Sequence, residues 1–451
     1  MSKFKPITGP QGYPVLGVIP KLISNPFHYM VSVAQHYGGV TRLNIGPARV
    51  YLVSHPDHVR HILVNNAANY WKGPILRGVK LIIGDGLFAS DGDLWKRQRR
   101  LLSPTFSHQR LRGMVTVMTD VISEHMARWR GTSERGEVVD LLEEMVPINI
   151  NILLKTIFGT SISYTEARAV RAASDVIFNH SEKLVFSFFM PMSIPRPGHR
   201  RFRKALAVVD AVVERVIAER RHNLEDTGDV LSTLLLVRDE SGEAMDDQQI
   251  RDEVMSIFMA GYESTAAALA WAWYLLSQHP VAEEKLLAEL AEVLDGRTPT
   301  FEDLPKLKYT RMVVDETLRL YPPFPTFFRT SYGSDRLGDY YLPPNAAIIL
   351  SPYVTHRNPQ YWEDPDRFDP ERFTPERVAE RQSHAYYPFG MGQRLCIGSS
   401  LSVIEQQLIL AMVAQQYHRR LTPGYVLEPH YDIALRPRYG VPMLLMPHEK
   451  L

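Results

Sequence analysis

The sequence predicts a mainly α-helical fold with a minor β portion. Amphipathic helical segments follow one another from about Gly92 to Pro280. The longest of them runs from about Asp246 to Gln278, roughly 50 Å at 1.5 Å per residue, which is the width of a whole domain. Short strands and proline-punctuated coil extend from Pro322 to Pro388, and a helix from about Gly398 to Gln416 and terminal strands complete the chain.

The N-terminal part carries most of the clear strand signals. Asn25 and Pro26 predict the start of a helix that ends near Gly38. The segment "VTRLNIGPARVYLVS" then indicates two strands around a Gly46-Pro47 turn. No Ser/Gly-rich linker or long charge run divides the chain, so we expect a single catalytic domain over residues 1–451, with a β-rich lobe over about 1–65 and an α-rich remainder.

Composition excludes several classes of protein. The hydrophobic fraction of 45% and the charged fraction of 22% are those of an ordinary globular protein. Lys and Arg (51) nearly balance Asp and Glu (50), so no global field favours nucleic acid. The apolar run Leu184–Ile194 is too short to span a membrane and contains Pro191, so we expect no transmembrane anchor. One cysteine cannot form an internal disulfide, which favours the cytoplasm.

That one cysteine lies in "FGMGQRLCIG", Phe389 to Gly398. A thiolate is a nucleophile and a soft metal ligand, and its pKa falls near cations at a helix N-terminus. Cys396 has this setting, because Arg394 precedes it by two residues and a helix is predicted just after it. The residue alone leaves open a buried inert cysteine or the nucleophile of a cysteine hydrolase.

The spacing of the loop narrows these alternatives. Phe389, Gly392, Arg394, Cys396 and Gly398 reproduce F-x-x-G-x-R-x-C-x-G, which resembles the haem-binding loop of the cytochrome P450 superfamily. The resemblance implies the fold of that family, with the long central helix crossing over haem b. It also implies that Cys396 ligates the iron and that Arg394 pairs with a haem propionate.

Two further segments resemble the same family in the same order. "ETLR" contributes Glu316 and Arg319, which lie on one helix face and, with Arg372 of "PERF", resemble the family's buried Glu-Arg-Arg scaffold. By themselves such pairs are usually solvated salt bridges.

"WKRQRR" places Trp95 and Arg99 one helical turn apart. This W-x-x-x-R pair resembles the one with which the family holds a haem propionate, and Arg329 of "FRTSYGSD" matches another propionate-binding arginine. Without the resemblance, the segment would be a basic surface helix.

The segment "AGYESTA" lies in the middle of the long helix and resembles the oxygen-activation motif A-G-x-(E/D)-T-(T/S). The resemblance implies that Ala260 lines the pocket, that Gly261 lets the helix approach the haem, and that Glu263 and Ser264 relay protons. Ser264 stands where threonine is typical, and Thr265 follows it. Serine lacks the methyl group that restricts the rotamer, so coupling of oxygen to product is expected to be looser.

The resemblance also implies a narrow aromatic channel. Phe88 of "GDGLFAS" and Phe324 after "RLYPP" match positions that overhang the haem, although both residue types are common in protein cores. Slender acyl chains or small terpenoids are therefore the expected substrates.

Together these motifs predict a monooxygenase that uses O₂ and electrons from a separate ferredoxin or flavodoxin. The chain has no dinucleotide fingerprint with which to bind NAD(P)H directly. Two alternatives stay open: a peroxide-driven peroxygenase, and a non-catalytic haem-thiolate sensor or electron carrier.

Overall fold

A computed structural model describes residues 4–186, 198–223, 225, 227–238, 242–431 and 434–448. The chain forms two compact units. The first contains the residues up to Ile75 and Asp315–Cys396, and the second contains Leu76–Val314 and the residues from Ile397 onward. The β-rich lobe predicted over residues 1–65 belongs to the first unit.

The first unit contains a five-stranded sheet with the order β1-β2-β8-β5-β3. Its strands are β1 Val40–Ile45, β2 Ala48–Val53, β3 Tyr70–Trp71, β5 Phe327–Ser331 and β8 Ala347–Leu350. The predicted hairpin is confirmed, since β1 and β2 pair from Val40↔Val53 to Ile45↔Ala48 around Gly46. β2 then pairs in parallel with β8, almost three hundred residues later in the chain. The apolar core of this unit includes side chains of the sheet, and the partly buried Met391, two residues beyond Phe389 of the cysteine loop, packs against it.

The remaining elements of this unit are short. They include the helices α1 Ile19–Ser24, α2 Pro26–Tyr37, α3 Pro56–Arg60, α14 Pro352–Thr355 and α15 Pro375–Glu380, and the hairpin of β6 Asp335–Leu337 with β7 Tyr340–Leu342. α2 has the predicted boundaries, because the Asn25 side chain accepts from His28 N and Gly38 (φ +94°) ends the helix.

The second unit is mostly helical. Its helices are α4 Arg77–Ile83, α5 Gly92–Leu102, α6 His108–Glu134, α7 Leu141–Ile157, α8 Tyr164–Phe186, α9 His199–His222, α10 Val230–Leu236, α11 Asp247–Gln278, α12 Pro280–Leu294 and α16 Ser399–Gln416. The first half of α13 Lys308–Leu320 also belongs to it. Its strands form the sheet β4-β12-β9 and the hairpin β10-β11, with bounds β4 Val138–Asp140, β9 Tyr417–Leu421, β10 Pro429–Tyr431, β11 Leu435–Pro437 and β12 Pro442–Pro447.

α11 is the central helix of the second unit. The side chain of Asp246 caps it by accepting from Gln249 N at 2.7 Å. The apolar stretch Ala266–Trp273 is buried on every side, as the sequence predicted, and α7 and α16 pack against the helix. The predicted mainly α-helical fold with a minor β portion is thus confirmed.

Within the described part of the chain, no helix is both long and apolar enough to cross a membrane. The proline-broken end of the run Leu184–Ile194 lies outside the described residues.

Candidate active site

The cysteine loop belongs to the first unit up to and including Cys396. Its two ends are joined by a hydrogen bond from Cys396 N to Phe389 O at 3.0 Å, and the Cys396 side chain is exposed. Gly392 has φ +65°, and a Cβ there would lie 2.4 Å from the carbonyl oxygen of Leu63. Only glycine therefore permits this close approach of the loop to the neighbouring backbone.

The structure brings Glu316, Arg319 and Arg372 together in the first unit. Arg319 donates to both carboxylate oxygens of Glu316, at 2.6 and 2.8 Å, and both side chains are fully buried. Arg372 Nε lies 3.4 Å from Glu316. The spare donors of Arg319 bind the carbonyls of His356 and Pro365, each at 2.7 Å, so its buried charge ties two loop segments to α13.

His356 connects this cluster to the cysteine loop, and sequence reasoning missed it. Its Nε2 accepts from Tyr387 N at 3.0 Å, so Nδ1 carries the proton and donates to Arg319 O at 3.1 Å. Complete burial, assisted by the charge of Arg319, lowers the pKa of His356 well below its usual value and keeps the ring neutral. Tyr387 O then accepts from Gly390 N at 3.0 Å, inside the cysteine loop.

Two other predicted residues of the first unit lie apart from this cluster. Arg329, on β5, is partly exposed and donates to the Phe328 carbonyl at 2.8 Å. Phe324, in the coil before β5, is also partly exposed.

In the second unit, α11 has one open face. Between Asp252 and Trp273 only Ile257, Ala260, Gly261 and Ser264 are partly exposed, and every other residue is buried. Their spacing of three, one and three residues places them on a single side of the helix, which we call the open stripe. The stripe is apolar except for the hydroxyl of Ser264, which donates to Ala260 O at 2.9 Å.

Gly261 also has a packing role inside the second unit. A Cβ added at Gly261 would meet the methyl groups of Leu153 on α7, at 2.9 and 3.0 Å. The missing side chain therefore permits close packing of α7 against α11.

The Glu263 carboxylate forms a buried ion pair inside the second unit. Arg171 Nη1, on α8, lies 2.9 Å from both carboxylate oxygens of Glu263, and both side chains are almost completely buried. Burial alone lowers the pKa of Arg171, but the carboxylates of Glu263, Asp175 and Glu143 outweigh it and raise the pKa above the ordinary value. Arg171 is therefore held charged beside Glu263, and the sequence offered no sign of this partner 92 residues away.

Thr265 points into the helix packing of the second unit. Its hydroxyl lies 3.3 Å from Gly261 O and 3.0 Å from Ser402 Oγ on α16. Ser402 Oγ in turn accepts from Gln406 Nε2 at 3.0 Å. Either hydroxyl can donate in the bond between Thr265 and Ser402. The chain of bonds joins α16 to the middle of α11.

Trp95 and Arg99 lie on α5, one turn apart, as predicted. The indole of Trp95 is buried, whereas Arg99 is partly exposed. Phe88, in the loop before α5, leaves 37% of its surface exposed, and its backbone N–H donates to Ser256 Oγ on α11 at 3.1 Å. Ser256 directly precedes Ile257, so this bond places the backbone of Phe88 beside the start of the open stripe.

The family model "Cytochrome P450" matches residues 7–438 of this chain. The chain is a cytochrome P450. The cytochrome P450 resembles cyclooctatin synthase of Streptomyces melanosporofaciens, at 36% identity over 94% of this chain and 92% of that protein. It also resembles pentalenene oxygenase of Streptomyces avermitilis, at 32% identity over 94% and 93% of the two chains.

A solved structure supports the same family assignment. The crystal structure of the cytochrome P450DA heme domain superposes with a TM-score of 0.88 at 26% identity, covering 99% of this chain and 98% of that one. This P450 is therefore a monooxygenase with haem b as its cofactor, and it requires a small-molecule substrate, O₂ and a redox partner.

The residues present in this P450 fit haem. Cys396 is the only cysteine of the chain, and its exposed side chain is accessible to a metal centre. Arg394, Arg329 and Arg99 are partly exposed cations of the type that pairs with propionates. Among the described residues there is no group of three His, Cys, Asp or Glu side chains that could hold a separate metal ion.

Proposed function

We propose that this cytochrome P450 inserts one oxygen atom into an apolar terpenoid, with electrons from a cytoplasmic ferredoxin or flavodoxin. The observation that carries the proposal is the open stripe of α11, which offers an apolar surface with a single hydroxyl. The relatives named cyclooctatin synthase and pentalenene oxygenase support this substrate class over the fatty acids.

Haem bound to Cys396 would supply the oxidative chemistry, with the thiolate donating electron density to the iron. Phe389 and the glycines shape the backbone of the cysteine loop, and Arg394 and Arg329 are the proposed partners of the propionates. Trp95 and Arg99 would act on the propionates from α5. The Glu316–Arg319–Arg372 cluster serves as scaffold, because its buried hydrogen bonds fix the loops that precede the cysteine.

The substrate would be held by shape and apolar contact. Ile257 and Ala260 present small or branched aliphatic groups on the open stripe. From the family resemblance, we assign Phe88 and Phe324 each to substrate contact. Such a surface excludes water from a hydrocarbon but cannot orient it through hydrogen bonds. We expect selectivity to depend on the positions of the two aromatic rings.

Ser264 is the proposed proton-transfer residue. Its hydroxyl donates to Ala260 O, which leaves its lone pairs directed outward to accept from a water molecule. To pass a proton from that water to oxygen, the hydroxyl must rotate away from the carbonyl. The small side chain of serine permits this rotation, at the cost of a less restricted geometry.

Glu263 and Thr265 act more indirectly in this proposal. Glu263 has to exchange Arg171 for water before its carboxylate can take part in proton transfer. Thr265 holds the backbone of α11 through Gly261 O and Ser402, and thereby the segment on which Ser264 is mounted.

The test is a binding and turnover screen of the haem-loaded protein. We expect terpenoid hydrocarbons and alcohols to shift the Soret band to its substrate-bound position at lower concentrations than C12–C16 fatty acids. Turnover under ¹⁸O₂ with a ferredoxin and its reductase should place ¹⁸O in the product. Tighter binding and faster oxidation of fatty acids would overturn the substrate proposal.

The same assay separates the two rival functions. A peroxygenase would form product with hydrogen peroxide faster than with O₂ and reductase. A sensor or electron carrier would form no product with either oxidant.

A further inference from the structure

The loop that carries Phe88 is bound to α11 by three of its backbone N–H groups. Asp85 N donates to Asp252 Oδ2 at 2.8 Å, and Leu87 N donates to Glu253 Oε2 at 2.9 Å. Phe88 N donates to Ser256 Oγ at 3.1 Å. The three acceptors belong to little more than one turn of α11, directly before the open stripe.

The two glycines of "GDGLF" are required by this contact. Gly84 has φ +58°, and a Cβ there would lie 2.0 Å from the carboxyl group of Asp252. A Cβ at Gly86 would lie 2.3 Å from the carbonyl oxygen of Asp252. The loop therefore lies directly on the helix, with no room for side chains between them.

Helix α5 holds the other side of the loop. The buried Gln98 amide donates to Asp85 O at 2.8 Å, and its oxygen accepts from the Ser90 hydroxyl. The loop is thus fixed by side chains of two helices, and its exposed residues are Asp85 and the apolar Phe88.

Glu253 is the acceptor whose chemistry is unusual. It is completely buried, and Oε1 has no hydrogen-bond partner among the described residues. Burial raises the pKa of Glu253 to about 7, the Leu87 N–H and Gln98 oppose that shift, and the negative charge of Asp252 adds to it. Asp252 itself pairs with Arg251, which also binds Asp210 on α9.

A purely structural core position would be filled more stably by an apolar residue of the same size, because an unpaired buried polar atom costs free energy. What the carboxylate provides instead is a directed acceptor for one loop amide.

We propose that Glu253 is a positioning residue which, through the Leu87 N–H, fixes the ring of Phe88 and so determines which carbon of the substrate is oxidised. The inference rests on the proposed function, in which Phe88 borders the substrate pocket. Glu253 has no contact with substrate in this role and acts only through the loop.

The hydrogen bond from Leu87 N–H to Glu253 can be tested without any turnover. Hydrogen–deuterium exchange of the peptide that covers residues 84–90 measures how well it protects the loop. Loss of one hydrogen bond is worth about 1 kcal/mol, so Glu253→Ala should speed exchange of this peptide by roughly five- to tenfold. Glu253→Gln keeps a carbonyl acceptor and should restore most of the protection. Glu292→Gln, on the exposed face of α12, is the matched control and should leave exchange unchanged.

The pH dependence gives a second measurement. A carboxylate accepts more strongly than a carboxylic acid. Protection of the peptide, corrected for intrinsic exchange, should therefore rise from pH 6 to pH 8 in the unmodified chain. Glu253→Gln should abolish that rise, whereas Glu292→Gln should retain it.

Product ratios then test the connection to Phe88. Glu253→Ala should change the ratio of oxidised positions at least threefold, and the same substitution should have little further effect in a Phe88→Ala background. Faster exchange with unchanged product ratios would overturn the positioning role while leaving the proposed function intact. Unchanged exchange in Glu253→Ala would show that Glu253 does not fix the loop. If no apolar substrate is oxidised by the unmodified chain, the proposed function fails. The exchange data then still show whether Glu253 fixes the loop.

Discussion

Replacing Arg171 by methionine should destabilise the second unit strongly. The substitution leaves the carboxylate of Glu263, of which only 3% is exposed, without its bidentate partner. Breaking a buried ion pair on one side typically costs about 3–5 kcal/mol. Arg436 Nε, 4.0 Å from Glu263, retains part of the compensation, so we expect about 3 kcal/mol.

The double variant Arg171→Met with Glu263→Met separates an unpaired charge from lost packing. Removing both charges should recover most of the loss, since apolar residues often replace a buried pair without penalty. Arg215→Met, which breaks an exposed pair with Glu166, is the matched control and should cost less than about 1 kcal/mol. Urea unfolding followed by tryptophan fluorescence measures all three midpoints. If the double variant is less stable than the single one, the unpaired-charge explanation is wrong.

Three further predictions concern the proposed site. Ser264→Ala should keep NADPH consumption through the partner reductase while product falls and released hydrogen peroxide rises, and Ser264→Thr should improve coupling; unchanged product yield in both would remove Ser264 from proton transfer. Phe88→Ala and Phe324→Ala should each admit bulkier substrates and alter product ratios. Product ratios equal to those of the unmodified chain in both variants would count against the aromatic channel. Reversing the charges of Arg97 and Arg100 on α5 should slow reduction by an acidic ferredoxin and weaken the salt dependence of its rate, measured by stopped flow. If the charge reversal changes neither the reduction rate nor its salt dependence, α5 is not the docking surface.

Local signals in the sequence were sufficient for the helices. Asn25 and Gly38 bound α2 because a side-chain cap and a positive φ angle are properties of single residues. The ends of α11 follow for the same reason, from the Asp246 cap and the continuous helical pattern. Cys396 and the Glu316–Arg319 pair were also visible, since each depends on spacing within a few residues.

Contacts between distant segments were not visible in the same way. The parallel pairing of β2 with β8 joins strands almost three hundred residues apart, and no local pattern specifies that neighbour. Nothing in the sequence around His356 indicates its role, which depends on the hydrogen bonds of its ring to Arg319 O and Tyr387 N. The partner of Glu263 was hidden in the same way. Residues adjacent on a helix face different directions, and here Glu263 bonds to Arg171 on α8 while Ser264 lies on the open stripe.

The polar residues of α11 show why this difference matters for the chemistry. Backbone N–H groups of the Phe88 loop donate to the side chains of Asp252, Glu253 and Ser256. Arg171 donates to Glu263. A buried polar group without partners is costly, so neighbouring elements bind most of these side chains. Ser264 satisfies its donor within its own helix, through Ala260 O, and carries the one hydroxyl of the open stripe. The helix therefore presents a single hydroxyl to an otherwise apolar surface, and the difference between serine and threonine at that one position is expected to control how efficiently protons reach the site.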